Sequence, residues 1–493
     1  MASLPGRSGS CWLSKARSTD YPTLDGSIHA DTVIVGAGIV GLTTALRLCE
    51  EGRSVIVLEG LRVGRQVTGR STAKITTQHA LIYEQLERER GADNARCYAE
   101  ANASGVRQIA HWIDAHEIDC DFETRHAYAY TTDPARRPDI AAEGDAAMRA
   151  GLKAQVLERA PLPFATAGAL FFPDQAQFNP ASYLIGVAAA VSQKGGMIFE
   201  NSRAVFIGEA SRYRAVTKGG TVHAENIVVA TNIPVKSPVG MATRTQPRSH
   251  VAMAFRTNGP KMIDGMFIAI DDPMRSLRMG RDAEGPLLVV LGPKYNTGWD
   301  GNVAGRFIEL KSWVKDNLGL SEVAWRWCNE DYDTADRVPF AGLPDAEKSP
   351  GYYIATGFNG WGISNGTAAG MMIAEMISSR RSPWQALYDP TRPVPKGFHK
   401  DGDSQSIVKR VEDIAAGEGG VIAKGEERIA AFRDDNGKVH LLSAKCTHKG
   451  CTVTWNNAER TWDCPCHGSM FGIDGSVIHG PARRALEKIV AEV

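Results

Sequence analysis

The chain has 493 residues, 43% of them apolar, and its 56 Lys and Arg are balanced by 56 Asp and Glu. That length exceeds one ordinary core and predicts two or three domains. Zero net charge with no charge run excludes a polyelectrolyte tail and gives no nucleic-acid footprint, and no apolar run reaches the roughly 20 residues of an integral membrane segment.

Residues 1 to 30 are expected to be an irregular N-terminal arm. They carry Ser, Pro, Gly and charges but no apolar signal core, which argues for a cytoplasmic protein. Then Asp31-Thr-Val-Ile-Val-Gly36-Ala-Gly38-Ile39-Val-Gly41 reads as a buried strand, a tight turn and a helix start, followed by a second strand, Ser54-Val-Ile-Val-Leu-Glu59. This is a complete βαβ dinucleotide fingerprint. Gly36 permits the turn, Gly38 lets backbone approach a pyrophosphate, and Gly41 lets helix and strand close up. The helix start at Ile39 offers N–H groups to phosphates. Glu59, 23 residues after Gly36, is placed to accept a hydrogen bond from the adenosine ribose, which disfavours a 2′-phosphate. FAD and NAD share this fingerprint.

A Gly/Ser/Thr-rich loop follows in place of a helix, with Arg62, Thr68, Gly69, Ser71 and Thr72 suited to diphosphate and flavin contacts. Residues 84 to 118 are helical by pattern, with Val106, Ile109, Ala110 and Ile113 as the apolar stripe. His111 and His116 on that helix suggest part of a mononuclear iron triad. However, Gln108 stands where a carboxylate is needed and the spacing splays the two rings, so no such iron is expected. Asn226-Ile-Val-Val-Ala230, closed by Thr231, reads as a strand. His250–Phe255 through Pro286–Leu291 alternates turns and apolar runs like a sheet. Late in the chain, strand, Gly-rich turn and helix recur at Gly351–Gly366 and Thr367–Ile377, bringing Gly357, Asn359, Gly360, Trp361 and Gly362 to a second helix start.

These segments together resemble the FAD-dependent amino acid oxidase (glycine/sarcosine/D-amino acid oxidase-like) family over about residues 31 to 385. The resemblance implies FAD, with the late Gly-rich segment meeting the isoalloxazine ring and the strand end Ala204-Val205 meeting adenine. It also implies a fold of mixed α/β (α+β) class. A Rossmann-type FAD-binding domain (about 31–90, 160–240 and 326–385) is interleaved with a β-sheet substrate domain (about 90–160 and 240–325).

Tyr388–Gly397 holds three prolines in ten residues. A semi-rigid linker is expected over 386–405, leaving the C-terminal module some swing. In that module (406–493), Cys446-x-His448 and Cys464-x-x-His467 put one Cys and one His on each of two loops, 15 residues apart. A Rieske-type [2Fe–2S] cluster needs two thiolates on one iron and two imidazoles on the other. That assigns Cys446 and Cys464 to one iron, His448 and His467 to its partner. Cys₂His₂ also suits zinc, although zinc has no use for the additional Cys451 and Cys466 or for Gly468-Ser469.

The run resembles the Rieske proteins of cytochrome bc complexes, which implies an all-β domain and a Cys451–Cys466 disulfide. By the same resemblance the Ser469 hydroxyl bonds a cluster sulfur, and Phe471 stands where high-potential members carry tyrosine. Gly475–Ala482 is then a third loop closing over the cluster, with His479 a plain loop residue. Cys11, Cys49, Cys97, Cys120 and Cys328 are expected as reduced thiols; a cytosolic disulfide is unusual beside them.

The function implied is oxidation of a small amine or amino acid by FAD, with electrons passing through the cluster to an external acceptor, a protein or a quinone. Two alternatives stand: an electron donor feeding a reductive or oxygenating flavin through the cluster, and a non-enzymatic redox sensor or carrier. An Arg fork would hold a substrate carboxylate. The candidates are Arg244, Arg248, Arg278 and Arg326, with Trp361 as an aromatic wall and Tyr332 and Arg337 on a segment leading to the flavin. Lys74, Lys261 and Lys294 are candidates for oxygen activation.

Overall fold

A computed structural model describes residues 4–209, 213–236, 239–257, 259, 262–395, 397–400, 402, 404 and 406–489. Lys261 lies outside the described residues.

The apolar run before Gly36 forms the strand Gly26–Val35, at the centre of an eight-stranded sheet. Its neighbours Gly220–Val229 and Val55–Leu58 run parallel to it. Beyond them Tyr352–Thr356 and Met197–Phe199 extend the parallel array. Val55–Leu58 and Tyr352–Thr356 are buried at every position, as parallel strands covered on both faces require. Helices Ile39–Glu50, Pro180–Gln193, Gly362–Ile377 and Ala92–Ala115 pack side by side in one layer. The buried face of Ala92–Ala115 runs through Gly105, Ile109 and Trp112, with Val106 and Ile113 at its flanks. His111 is exposed and His116 caps the helix end.

A second, ten-stranded sheet stands beside this layer. Its central strands, Val323–Thr334, Thr245–Arg256, Gly285–Asn296 and Ser276–Asp282, pair antiparallel in that order. Pairing across sequence-distant strands moves several expected boundaries. Gly168–Gln177, Lys74–Ile75 and Val323–Thr334 belong to this sheet, although all but the first three residues of Val323–Thr334 fall within segments expected in the nucleotide-binding domain. Conversely, Ala92–Ala115 packs against Gly362–Ile377 in the other layer.

The arm is largely irregular over residues 4–25, as expected, but it is packed on the core. Arg7–Ser8 pairs with the edge of Val323–Thr334, and the strand expected at Asp31 starts at Gly26. Cys11 and Trp12 are buried. The Trp12 indole donates to Ser71 O at 2.8 Å and lies under the Arg278 guanidinium. A buried indole needs such an acceptor, and this one ties the arm to the core.

The C-terminal domain holds two four-stranded sheets, Ile407–Val408 to Val439–Ser443 and Thr454–Asn456 to Val477–His479. In this structure it lies docked on the first domain, and its connector is anchored at three described positions. Tyr388 is buried, Arg392 pairs with Asp336, and His399 Nδ1 lies 2.8 Å from Thr245 O. The docking face is close-packed. At Gly298 (φ +71°) a Cβ would lie 2.7 Å from Pro465 N, and at Gly468 (φ +69°) a Cβ would lie 2.6 Å from the Tyr332 hydroxyl. Only glycine suits both the backbone angle and the space there.

Candidate active site and cluster site

A cavity of about 780 Å³ runs between the two sheets, within the range of cofactor-sized clefts. Two helix starts border it: Gly38 ahead of Ile39–Glu50 and Trp361 ahead of Gly362–Ile377. Neither has a capping bond from its own N-cap side chain or an acid in its first turn, although Ile39 N donates to the Thr68 hydroxyl at 3.3 Å. Their N–H groups are therefore available to an anion. At Gly36 (φ +107°) a Cβ would sit 2.5 Å from Ala230 O, so strand and turn approach as a dinucleotide site demands. The Glu59 carboxyl borders the cavity and accepts from Ala37 N at 2.9 Å and Leu61 N at 2.8 Å. Burial pushes it above the usual carboxylate range, against those two N–H groups.

Most residues expected at the cofactor line this cavity: Gly36, Gly38, Ile39, Arg62, Thr68, Gly69, Ser71, Thr72, Ala230, Thr231, Asn359, Gly360, Trp361 and Gly362. Three do not. Gly41 faces Gly36, where a Cβ would fall 1.9 Å from the carbonyl oxygen, so its role is packing. Gly357 (φ +77°) makes the turn behind Thr334. Val205 bonds backbone to Val216 O at 2.8 Å, and Ala204 takes the place at the wall.

The substrate candidates divide sharply. Arg248 faces the cavity; it donates through Nη1 to Asn296 Oδ1, and its Nε is paired with Asp333 Oδ2 at 3.7 Å. Trp361 faces it too and stacks on His79 at 4.6 Å. Arg337 reaches the wall, but its guanidinium is held by Leu81 O at 2.6 Å and Gln85 Oε1 at 3.0 Å. Arg244 holds connector carbonyls of Pro390 and Arg392. Arg326 holds Pro5 and Gly6, and the fully buried Arg278 holds Ala73 O and Phe178 O. These three serve packing because long, strongly donating side chains satisfy buried carbonyls. Tyr332 does not line the cavity. It points the other way, and its hydroxyl donates to His467 O at 3.2 Å.

Both described lysine candidates line the cavity. Lys294 Nζ bonds Asp333 Oδ1 at 2.8 Å and Asn359 O at 3.0 Å. Lys74 is half-buried, bonds Phe267 O at 2.8 Å and Ser276 Oγ, and is pushed down to about 7 by desolvation with Arg278 nearby. His250, Asn329 and Asp331 also line the wall. The alternation of their strands could have placed them, but only once both partners were known. Least legible was the far side: Ile478, His479, Gly480, Ala482 and Arg483 of the C-terminal domain close the same cavity. His479 is thus not a plain loop residue.

In the C-terminal domain the two ligand loops meet. Cys446 and Cys464 are buried against each other, and the His448 and His467 rings stand edge to face with centroids 4.9 Å apart. The Cys464 side chain, offset by burial and aided by the His448 N–H and the Ser469 hydroxyl, brings the Cys446 thiol down to about 7. Burial pushes His448 down to about 4, keeping it neutral as a metal ligand must be, and its Nδ1 is buried without a partner. The sulfurs of Cys451, Cys464 and Cys466 lie within 4.8 Å of one another. Cys451 and Cys466 are joined in a disulfide with Cα atoms 6.5 Å apart, so neither offers a thiolate. Two thiols and two imidazoles remain, the donor set of a Rieske cluster.

The chain matches the family model for FAD dependent oxidoreductases (DAO) over residues 31–376 and that for the Rieske [2Fe-2S] domain over 404–490. FAD and a [2Fe–2S] cluster are therefore its cofactors, and the zinc reading falls. It is 31% identical over 501 residues to a Bacillus subtilis (strain 168) chain named as a Rieske 2Fe-2S iron-sulfur protein, YhfW, with 97% of each chain covered. It is 25% identical to gamma-glutamylputrescine oxidoreductase of Escherichia coli (strain K12), covering 76% of this chain and 90% of that one. Glycine oxidase from Geobacillus kaustophilus superposes with a TM-score of 0.61 at 16% identity, covering 75% of this chain and all of that one.

Proposed function

We propose, from the premise that this chain belongs to the FAD dependent oxidoreductase (DAO) family and ends in a Rieske [2Fe-2S] domain, that it oxidises a small amine or amino acid and passes the electrons to an external acceptor. The observation that carries this reading is the shared cavity: the nucleotide-binding turns and residues 478–483 of the cluster domain wall one space. When bound, FAD supplies a two-electron acceptor and the cluster a one-electron relay. A flavin serving only oxygen has no need of such a relay, so a dehydrogenase is favoured over an oxidase.

In this reading the Arg248 guanidinium, which lines the cavity and faces Asp333 Oδ2 at 3.7 Å through Nε, orients a substrate carboxylate, and Trp361, held by His79, forms the aromatic wall. Cys446 and Cys464 hold one iron, His448 and His467 the other. The acceptor is a one-electron protein or a quinone. No described helix is long and apolar enough to cross a membrane. A cytoplasmic setting is part of the proposal, supported by the free thiols of Cys11, Cys49, Cys97, Cys120 and Cys328.

The test is anaerobic mixing of the holoprotein with a panel of amines and amino acids, following flavin absorbance and then the cluster spectrum. Bleaching by an amine followed by cluster reduction supports the reading. Flavin reduction only on addition of reduced ferredoxin or NADH overturns it.

A further inference from the structure

Two adjacent strands separate the cavity from the cluster loop, and their register sorts the side chains between them. Arg248 pairs with Asp331 and His250 with Asn329, and all four line the cavity. Pro247 pairs with Tyr332, and both lie against Gly468 on the opposite face. Side chains alternate along a strand, so the segment Asn329–Asp333 has one face toward each site. Asp331 reaches the cavity and accepts from Gly360 N, while its chain neighbour Tyr332 bonds the carbonyl of the iron-ligating residue His467. The Tyr332 side chain is 1% exposed, which excludes water from that hydrogen bond.

We infer that Tyr332 is a positioning residue for electron exchange, the hydrogen-bonded link between the cavity wall and the His467 loop. The inference rests on the proposed flow from flavin to cluster. With both groups bound, the two electrons of a reduced flavin would leave one at a time across this link. The cluster must be emptied between them by a one-electron oxidant, for which ferricyanide is the probe. The docked arrangement is the one that transfers electrons, and no domain swing is needed.

The experiment uses the full-length holoprotein under anaerobic conditions with two ways of reducing the flavin: an amine, and light with EDTA as donor. Tyr332→Phe is expected to leave flavin bleaching unchanged in both arms and to slow the reduced-cluster EPR signal about tenfold. Trp299→Phe removes a different docking bond, Trp299 Nε1 to Pro465 O at 3.0 Å, and is expected to keep the wild-type rate. Hydrogen exchange of residues 464–469 is expected to be unchanged in Tyr332→Phe.

Wild-type cluster reduction in Tyr332→Phe overturns the inference, as does equal slowing in Trp299→Phe. Faster exchange of 464–469 overturns it too, since docking alone would then account for the rate. Slowing in His479→Gln with Tyr332→Phe at the wild-type rate moves the route to residues 478–483. If no amine bleaches the flavin while the light arm behaves as expected, the link stands and the substrate reading falls.

Discussion

Arg392 and Asp336 form a two-point ion pair, Nε to Oδ2 at 2.9 Å and Nη2 to Oδ1 at 3.1 Å, with both side chains 5% exposed. Arg392 belongs to the proline-rich connector and Asp336 to the segment beside the cavity, so this pair pins the start of the connector to the first domain. Arg90 bonds the same carboxylate from the first domain.

Removing one partner strands the other charge. Arg392→Ala is expected to cost about 3–5 kcal/mol in chemical denaturation, well above the effect of a surface arginine such as Arg88. Burial would raise the Asp336 carboxyl, but Arg392 and Arg90 outweigh it and hold it below 3.8. The pair's contribution is therefore fully present above pH 3.8 and lost as pH falls through the lower folded value. The acid limb of a stability profile should flatten in Arg392→Ala.

Ser469 is fully buried, and its hydroxyl lies against the Cys446 sulfur while accepting from Ala482 N at 3.1 Å. Phe471, also fully buried, offers no second hydroxyl. Hydrogen bonds to sulfur favour the reduced cluster. Ser469→Ala is expected to lower the cluster potential, and Phe471→Tyr to raise it, each by roughly 60 mV or more. A redox titration followed by EPR decides; an unchanged or lower potential in Phe471→Tyr would count against the account.

Gly41→Ala places a methyl 1.9 Å from Gly36 O, in backbone that cannot yield without opening the turn. We expect chain purified with little flavin and a stability loss of at least about 1–3 kcal/mol. The flavin-to-protein absorbance ratio and Tm measure the two effects.

Lys74 titrates near 7 because desolvation disfavours its ammonium and Arg278 adds like charge. It is charged below that pH and neutral above it. A cation in the cavity stabilises negative charge developing on oxygen. Peroxide formation by the reduced protein should therefore fall as pH rises through about 7. Lys74→Met should be about tenfold slower below pH 7 and flat across the range. An unaltered profile in that variant removes Lys74 from oxygen chemistry.

Local spacing carried the two cofactor motifs. Gly36, Gly38 and Glu59 act across one βαβ turn, and each Cys–His pair of the cluster sits within four residues. Their chemistry is therefore written in short stretches of chain. The packing of the arm was not legible, because a Trp12–Ser71 bond is invisible to composition. Arg244, Arg278 and Arg326 failed as clamps because a guanidinium facing a substrate and one facing a backbone carbonyl look alike in a sequence.

What the amino-acid order determined by itself was the pair of redox groups, since glycine torsions, helix starts and thiolate–imidazole sets are properties of contiguous residues. What only the tertiary structure decided was their relation. Strand register turns Asp331 to one site and Tyr332 to the other, and packing brings residues 478–483 over a cavity begun at Gly36. Such contacts join segments hundreds of residues apart, and complementary surfaces, not local preference, select them.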